Sequence, residues 1–138
     1  MAKVTISEWV RKSEARLTAV MQQSAQDVIN DAQKLRTRGG NMPLRDGFLT
    51  NSGVAQIGSM PSGPSQPPKG YSRSSRDAGP SLLIISRFKP GQVLYYGFTA
   101  EYARAMEQRY GFTRLAAQKW QSIVKRNTAK LRRMSGGN

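Results

Sequence analysis

From Thr5 to Thr37 the chain reads TISEWVRKSEARLTAVMQQSAQDVINDAQKLRT, with neither Gly nor Pro before Gly39. Thr5 followed three positions later by Glu8 is a capping-box pair, in which each side chain satisfies the other residue's backbone N–H at a helix start. Apolar residues recur at Ile6, Trp9, Val10, Leu17, Val20, Met21, Val28, Ile29, Ala32 and Leu35. Those spacings of three, four and seven draw one helical stripe, and Gly39-Gly40 ends it. One long helix is therefore predicted over 5–37, about 45 Å long at 1.5 Å per residue. A compact chain of this size has a radius of gyration of about 14 Å. The helix outruns what a lone small domain covers, so its Trp9, Leu17 and Val20 stripe is a candidate for packing on another subunit.

Working outward, residues 38–81 are loop-rich. Pro43 and Asp46-Gly47 carry turn chemistry, and Val54-Ala55-Gln56-Ile57 suits a short strand. The stretch from Met60 to Pro80 holds five of the seven prolines, together with Gly, Ser and basic residues. It buries too little apolar surface to offset its ordering entropy alone. Two readings stay open for this 60–80 arm: a mobile insertion between strands, or an arm that orders on a neighbouring subunit or on nucleic acid. Leu82–Phe88 and Val93–Thr99 are apolar runs joined by Lys89-Pro90-Gly91-Gln92, and they read as an antiparallel hairpin. Their near-continuous apolarity predicts burial on both faces. Phe112, Leu115, Ala116, Trp120, Ile123, Val124 and Leu131 then mark a second helix over 112–134.

Residue types that are missing exclude much chemistry. The 138 residues suit a single domain, 1–138, and contain no His and no Cys. Disulfides, thiolate nucleophiles, Ser-His-Asp constellations and the common zinc sets are all unavailable. Glu101 and Glu107 lie six apart around Tyr102, but Arg104 and Arg109 offer Glu107 simple structural ion pairs, so a paired-carboxylate hydrolase is disfavoured. The glycines match neither the phosphate loop nor the dinucleotide fingerprint. The expectation is a protein that is not an enzyme and uses no cofactor and no metal. The longest apolar run, Leu82-Leu83-Ile84-Ile85, is far too short for a bilayer, and the first residues resemble no targeting signal. A soluble, non-secreted chain without a membrane partner is expected.

The strongest physical signal is charge. With 22 Lys+Arg against 8 Asp+Glu the formal net charge is +14. Such a field attracts nucleic acid, anionic lipid or acidic proteins. From Arg114 onward there are seven basic residues and no acid: Arg114, Lys119, Lys125, Arg126, Lys130, Arg132 and Arg133. They are the candidates for contact with DNA or an acidic partner. The known base-reading modules are missing, so any nucleic-acid contact is expected through phosphates, without sequence preference.

Met42-Pro43-Leu44-Arg45-Asp46-Gly47-Phe48-Leu49-Thr50-Asn51-Ser52 resembles the tail-completion (neck) proteins of long-tailed bacteriophages. Those carry a long N-terminal helix and then a Pro-x-x-Thr-Gly-x-Leu-x-x-Ser segment opening the first strand. Pro43, Gly47, Leu49 and Ser52 match, with Asp46 in place of the usual Thr. A second block, Tyr-Ala-x-x-x-Glu-x-Gly, is similar to Tyr102-Ala103-Arg104-Ala105-Met106-Glu107 followed by Gly111. The additional Gln108-Arg109-Tyr110 departs from that pattern.

The resemblance implies an α+β fold in which a long N-terminal and a shorter C-terminal helix flank a small antiparallel β-sheet. It implies a virion structural protein of the head–tail junction: a homohexameric ring that completes or terminates the tail. Its partners would be further copies of itself, the head-connector or head-closure protein, the tail tube or tail terminator protein, and duplex DNA in the lumen. The chain would then reside in the virion neck, and in the host cytoplasm during assembly. A closed ring needs heterologous contacts, for which Tyr71 in the arm, Tyr102 and Glu107 join Trp9, Leu17 and Val20 as candidates. The rival expectation is a basic, sequence-non-specific nucleic-acid-binding protein, whose cations should lie on one continuous stripe.

Overall fold

The computed structural model describes residues 5–44, 47–71 and 79–134. Among the described residues it is α+β, with six α-helices, a long one at the N-terminus, and a two-stranded antiparallel sheet. Helix α1 runs Ile6–Gln33 and begins with the expected capping box: Glu8 N–H donates to Thr5 Oγ1 at 3.1 Å, and Thr5 N–H to Glu8 Oε2 at 3.3 Å. It ends earlier than the sequence predicted. Lys34 turns extended, Leu35 forms a parallel bridge with Met42, and a 3₁₀ turn follows at Arg36–Arg38. Arg36 N–H to Met42 O and Met42 N–H to Lys34 O take the backbone groups that helix continuation would have used. In exchange Met42 becomes fully buried. Gly39, at φ 88°, closes the turn, while a side chain on Gly40 would strike the Lys34 carbonyl.

Helix α2 (Phe48–Asn51) is one turn that buries Phe48, Leu49 and Thr50 after Gly47, at φ 86°. Strand β1 (Gly53–Ile57) follows and pairs antiparallel with β2 (Leu94–Phe98), in a register from Gly53 opposite Phe98 to Ile57 opposite Leu94. Ser52 fixes their joint end, donating from Oγ to Leu49 O at 2.7 Å and accepting the Ala100 N–H at 3.2 Å.

The expected hairpin is corrected here. Leu82–Phe88 is not a strand but lies in and just past helix α3 (Gly79–Arg87), and β2 pairs with β1 instead. Short apolar runs fit a strand and a buried helix equally well, and burial decides between them. Ile85 and Phe88 are buried and Ile84 half-buried, whereas Leu82 and Leu83 are each 51% exposed. That is helical spacing on one face, which packs on β1 and α1. Gln22 of α1 secures the C-terminal end of α3 by donating to the carbonyls of Ser86 and Phe88 at 3.1 and 3.0 Å. The turn at Lys89–Gln92 forms as expected, with Gly91 at φ 90°, but it joins a helix to a strand. Every residue of β2 is half-buried, so the sheet is not covered on both faces as its apolarity suggested.

Helix α4 (Ala103–Tyr110) ends at Gly111, at φ 66°, which also opens α5 (Phe112–Ala117). The predicted 112–134 helix is divided: Lys119 N–H bonds to Ala116 O, a tightened turn, before α6 (Trp120–Met134) begins. One core joins Met42, Phe48, Leu49, Ala100, Ala103 and Phe112. Edge-to-face contacts of Phe48 with Tyr71 (5.3 Å) and of Phe98 with Phe112 (5.1 Å) bind the arm and the sheet to it. Fully burying a ring such as Phe48 or Phe112 is worth roughly 1.5–3 kcal/mol, and the half-buried Tyr71 and Phe98 contribute less. Helices α5 and α6 lie antiparallel along the second half of α1, where Ser24, Ala25, Ile29 and Ala32 meet Ala116, Ile123 and Asn127.

Candidate functional site

The cap Thr5 and residues 6–17 of α1 are all exposed, and close packing begins only around Val20. Four turns of capped helix thus project from the body. They carry Ile6 at 83%, Trp9 at 64% and Leu17 at 50% exposure, with Val10 beside them. The stripe read from the sequence is therefore divided. Its C-terminal part is covered by α5 and α6, and its N-terminal part faces outward. Leu17 stands at the boundary, in a groove with Val20, Val124 and Leu131.

The other interface candidates are engaged within the chain to differing degrees. Val20 is buried against α6. Tyr71 packs on Phe48, donates its hydroxyl proton to Gly47 O at 3.2 Å and accepts from Asn51 Nδ2 at 2.6 Å. Tyr102 is half-buried against the core. Glu107 accepts the N–H groups of Thr113 and Arg114 at 3.1 and 2.9 Å, capping α5. The ion pair expected between Glu107 and Arg104 or Arg109 is thus replaced by backbone N–H groups, while Glu101 takes the Gln66 amide.

As far as Tyr71 the 60–80 arm lies along the loop after β2. Thr99 Oγ1 donates to Pro64 O at 2.7 Å and Glu101 N–H to Ser65 O at 2.8 Å. Residues 72–78, with Arg73 and Arg76, fall outside the described residues, and the last two positions of the expected arm, Gly79 and Pro80, open helix α3 instead.

The basic candidates separate into groups. Lys119, Arg126, Lys130 and Arg133, at spacings of seven, four and three, share one face of the α6 region beside its buried stripe. Two of them are paired across the seam with α1, Lys119 to Asp31 at 3.0 Å and Arg126 to Asp27 at 3.2 Å. Partial burial alone would raise the Asp27 carboxyl. Hydrogen bonds from Asn127, Gln23 and Arg126, with the Arg126 charge, outweigh it and hold the group below its ordinary value. Lys125 and Arg132, seven apart, lie on the opposite flank of α6. Arg114 belongs to α5, where its guanidinium stands beside Gly111.

A second basic group was not singled out in the sequence. The Arg36 and Arg109 guanidiniums stand 4.6 and 5.4 Å from the centre of one ring, that of Tyr110. Its only sequence signal is the additional Gln108-Arg109-Tyr110 in the second block. Nothing in the sequence links those residues to Arg36.

Among the described residues no cluster of three potential metal-ligating side chains occurs, and no helix is long and apolar enough to cross a membrane. No match to this chain is found among family models, curated proteins or solved structures.

Proposed function

We propose that this chain is a virion structural protein of the phage head–tail junction. In this role it forms a homohexameric ring that completes or terminates the tail and docks it to the head connector around the DNA channel. The observation that carries the proposal is the projecting end of α1. A capped, regular helix holding Trp9, Ile6 and Leu17 in solvent is a surface built for contact with protein. Each subunit would lay this end on a different patch of the next, as ring closure requires. The shared motif residues support the likeness to neck proteins through their structural work here: Gly47 supplies a left-handed turn, Leu49 fills the core and Ser52 ties the strand ends. Its mechanism is geometric, with one face of the ring meeting the connector, the other meeting the tail, and a lumen left for duplex DNA.

A second reading, a basic nucleic-acid-binding protein without sequence preference, draws on the +14 charge and on the four cations sharing one face of the α6 region. Light scattering across a concentration series separates the two. The neck reading predicts a discrete oligomer that W9S/L17S converts to monomer without lowering the thermal midpoint. A chain that stays monomeric at every concentration, or an oligomer indifferent to both substitutions, contradicts the assigned interface.

A further inference from the structure

We propose that Arg36 and Arg109, stacked on Tyr110, together with Arg114, whose side chain folds back beside the adjoining Gly111, form a subsite for the phosphodiester backbone of duplex nucleic acid. The three cations come from different elements: the 3₁₀ turn after α1, the last turn of α4, and α5. Tyr110 packs with Leu35 against the core and gives the group a fixed centre. Arg36 and Arg109 stand over its ring. A nitrogen of the Arg114 guanidinium lies 2.8 Å from where a side chain on Gly111 would begin. Glycine at 111 is favoured by its left-handed backbone, φ 66°, and leaves the guanidinium free to lie there.

Among the described residues, the carboxylates make their contacts with other groups. Glu107, the nearest in sequence, spends both oxygens on the backbone N–H groups of Thr113 and Arg114 rather than on a guanidinium, and its single charge leaves the three arginines in excess. Asp31, Asp27 and Glu101 hold Lys119, Arg126 and Gln66. Glu8 and Glu14 sit at the far end of α1, about 30 Å or more from Arg36 along the chain axis. Among the described residues no carboxylate pairs with Arg36, Arg109 or Arg114. Like charges held together by packing repel, and a bound anion relieves that repulsion. Guanidinium forks match phosphate oxygens in bidentate fashion, and stacking on the ring fixes their orientation.

The arrangement favours a nucleic-acid backbone over an acidic protein. The row Lys119, Arg126, Lys130 and Arg133 supplies further cations along about 20 Å. Two of these are already held by carboxylates, and a dense polyanion, with one charge per about 3.4 Å of strand, competes for them better than sparse acidic side chains. The Tyr110 ring has its π-system engaged by guanidiniums and offers no platform for a base. Contact is therefore independent of base sequence. None of this requires the ring of the preceding proposal, so either can fail alone.

The test is fluorescence anisotropy of a labelled random 30-base-pair duplex over a salt series, with nuclease-treated protein. Wild type should bind measurably at about 50 mM salt and weaken past micromolar by about 0.15 M, as non-specific contacts do. R36Q/R109Q/R114Q should flatten the slope of log K against log salt by about 2 to 3. R11Q/K12Q/R16Q, which removes the same charge from the projecting end of α1, should change the slope by less than half as much. R36K/R109K/R114K keeps the charge and loses the forks, so its affinity should fall with the slope retained. Circular dichroism confirms that each variant is folded; if the Gln triple is not, the Lys triple decides. Equal effects from the two Gln triples would overturn the subsite in favour of a diffuse field. Poly-glutamate displacing the duplex at equal charge concentration would overturn it in favour of an acidic protein partner. No binding at 50 mM would overturn it outright.

Discussion

Gly53 opens β1 where the Tyr96 side chain crosses from the neighbouring strand, and a β-carbon there would collide with the Tyr96 hydroxyl and ring. The diagonal placement of an aromatic over a strand glycine is a cross-strand packing device. Gly53→Ala should therefore cost about 1–3 kcal/mol by overpacking, read as a lower urea midpoint with an unchanged slope. Ser52 is one residue earlier and contributes by hydrogen bonding. Ser52→Ala leaves the Ala100 N–H and one Leu49 carbonyl site without a partner in a buried place, at a cost of about 1–3 kcal/mol. An unchanged denaturation midpoint for either variant would contradict the packing described. Gly47 and Ser52 stand out in the sequence because each answers a local backbone demand, Gly47 a left-handed turn and Ser52 the Leu49 carbonyl three residues back. The need for Gly53 was not legible, because the residue that excludes a side chain there lies on another strand.

At the scale of elements, α1 was legible from capping chemistry and periodicity, both local properties. Its last turn was not, because the contest there is with Met42, which becomes fully buried only if the helix stops. Helix α3 was mistaken for a strand for a related reason. Its apolar run is short, and only the packing of Ile85 and Phe88 on β1 and α1 distinguishes the two forms. Gln22 carries that choice across the interface, so Gln22→Ala frees two carbonyls and should selectively speed amide exchange in α3 while leaving that of α5 unchanged. The pairing of α1 with α6 adds a pH dependence. Asp27 is held below its ordinary value of 3.8. Its contribution is therefore complete above that value and is lost as pH falls through the lower, folded value. Unfolding free energy should decline below about pH 4 less steeply in D27N than in wild type. Parallel acid profiles would contradict this. The glutamate pairings also escaped the sequence: Glu107 has Arg104 and Arg109 close by, yet takes the N–H groups that α5 exposes once the chain turns at Gly111.

For the whole molecule, two features stand outside what folding of one small domain requires: a helix end clear of the body that holds Ile6, Trp9 and Leu17 in solvent, and a surplus of cations with few carboxylates to meet them. The first was foreseeable from length alone, since a helix of 28 residues outreaches the core that one such domain builds. The distribution of the second was not, because Arg36 and Arg109 meet at Tyr110 only through the tertiary fold. The proposed neck role gives both a use, the helix end in subunit contact and the cations toward DNA. Sedimentation velocity of nuclease-treated protein, alone and with a random 30-base-pair duplex at two salt concentrations, tests that role most directly. The account predicts a discrete ring-sized species and duplex binding weaker than micromolar at about 0.15 M salt. A monomer that binds the duplex at micromolar or tighter affinity under those conditions, with a steep salt slope, would contradict it and establish the nucleic-acid-binding protein instead.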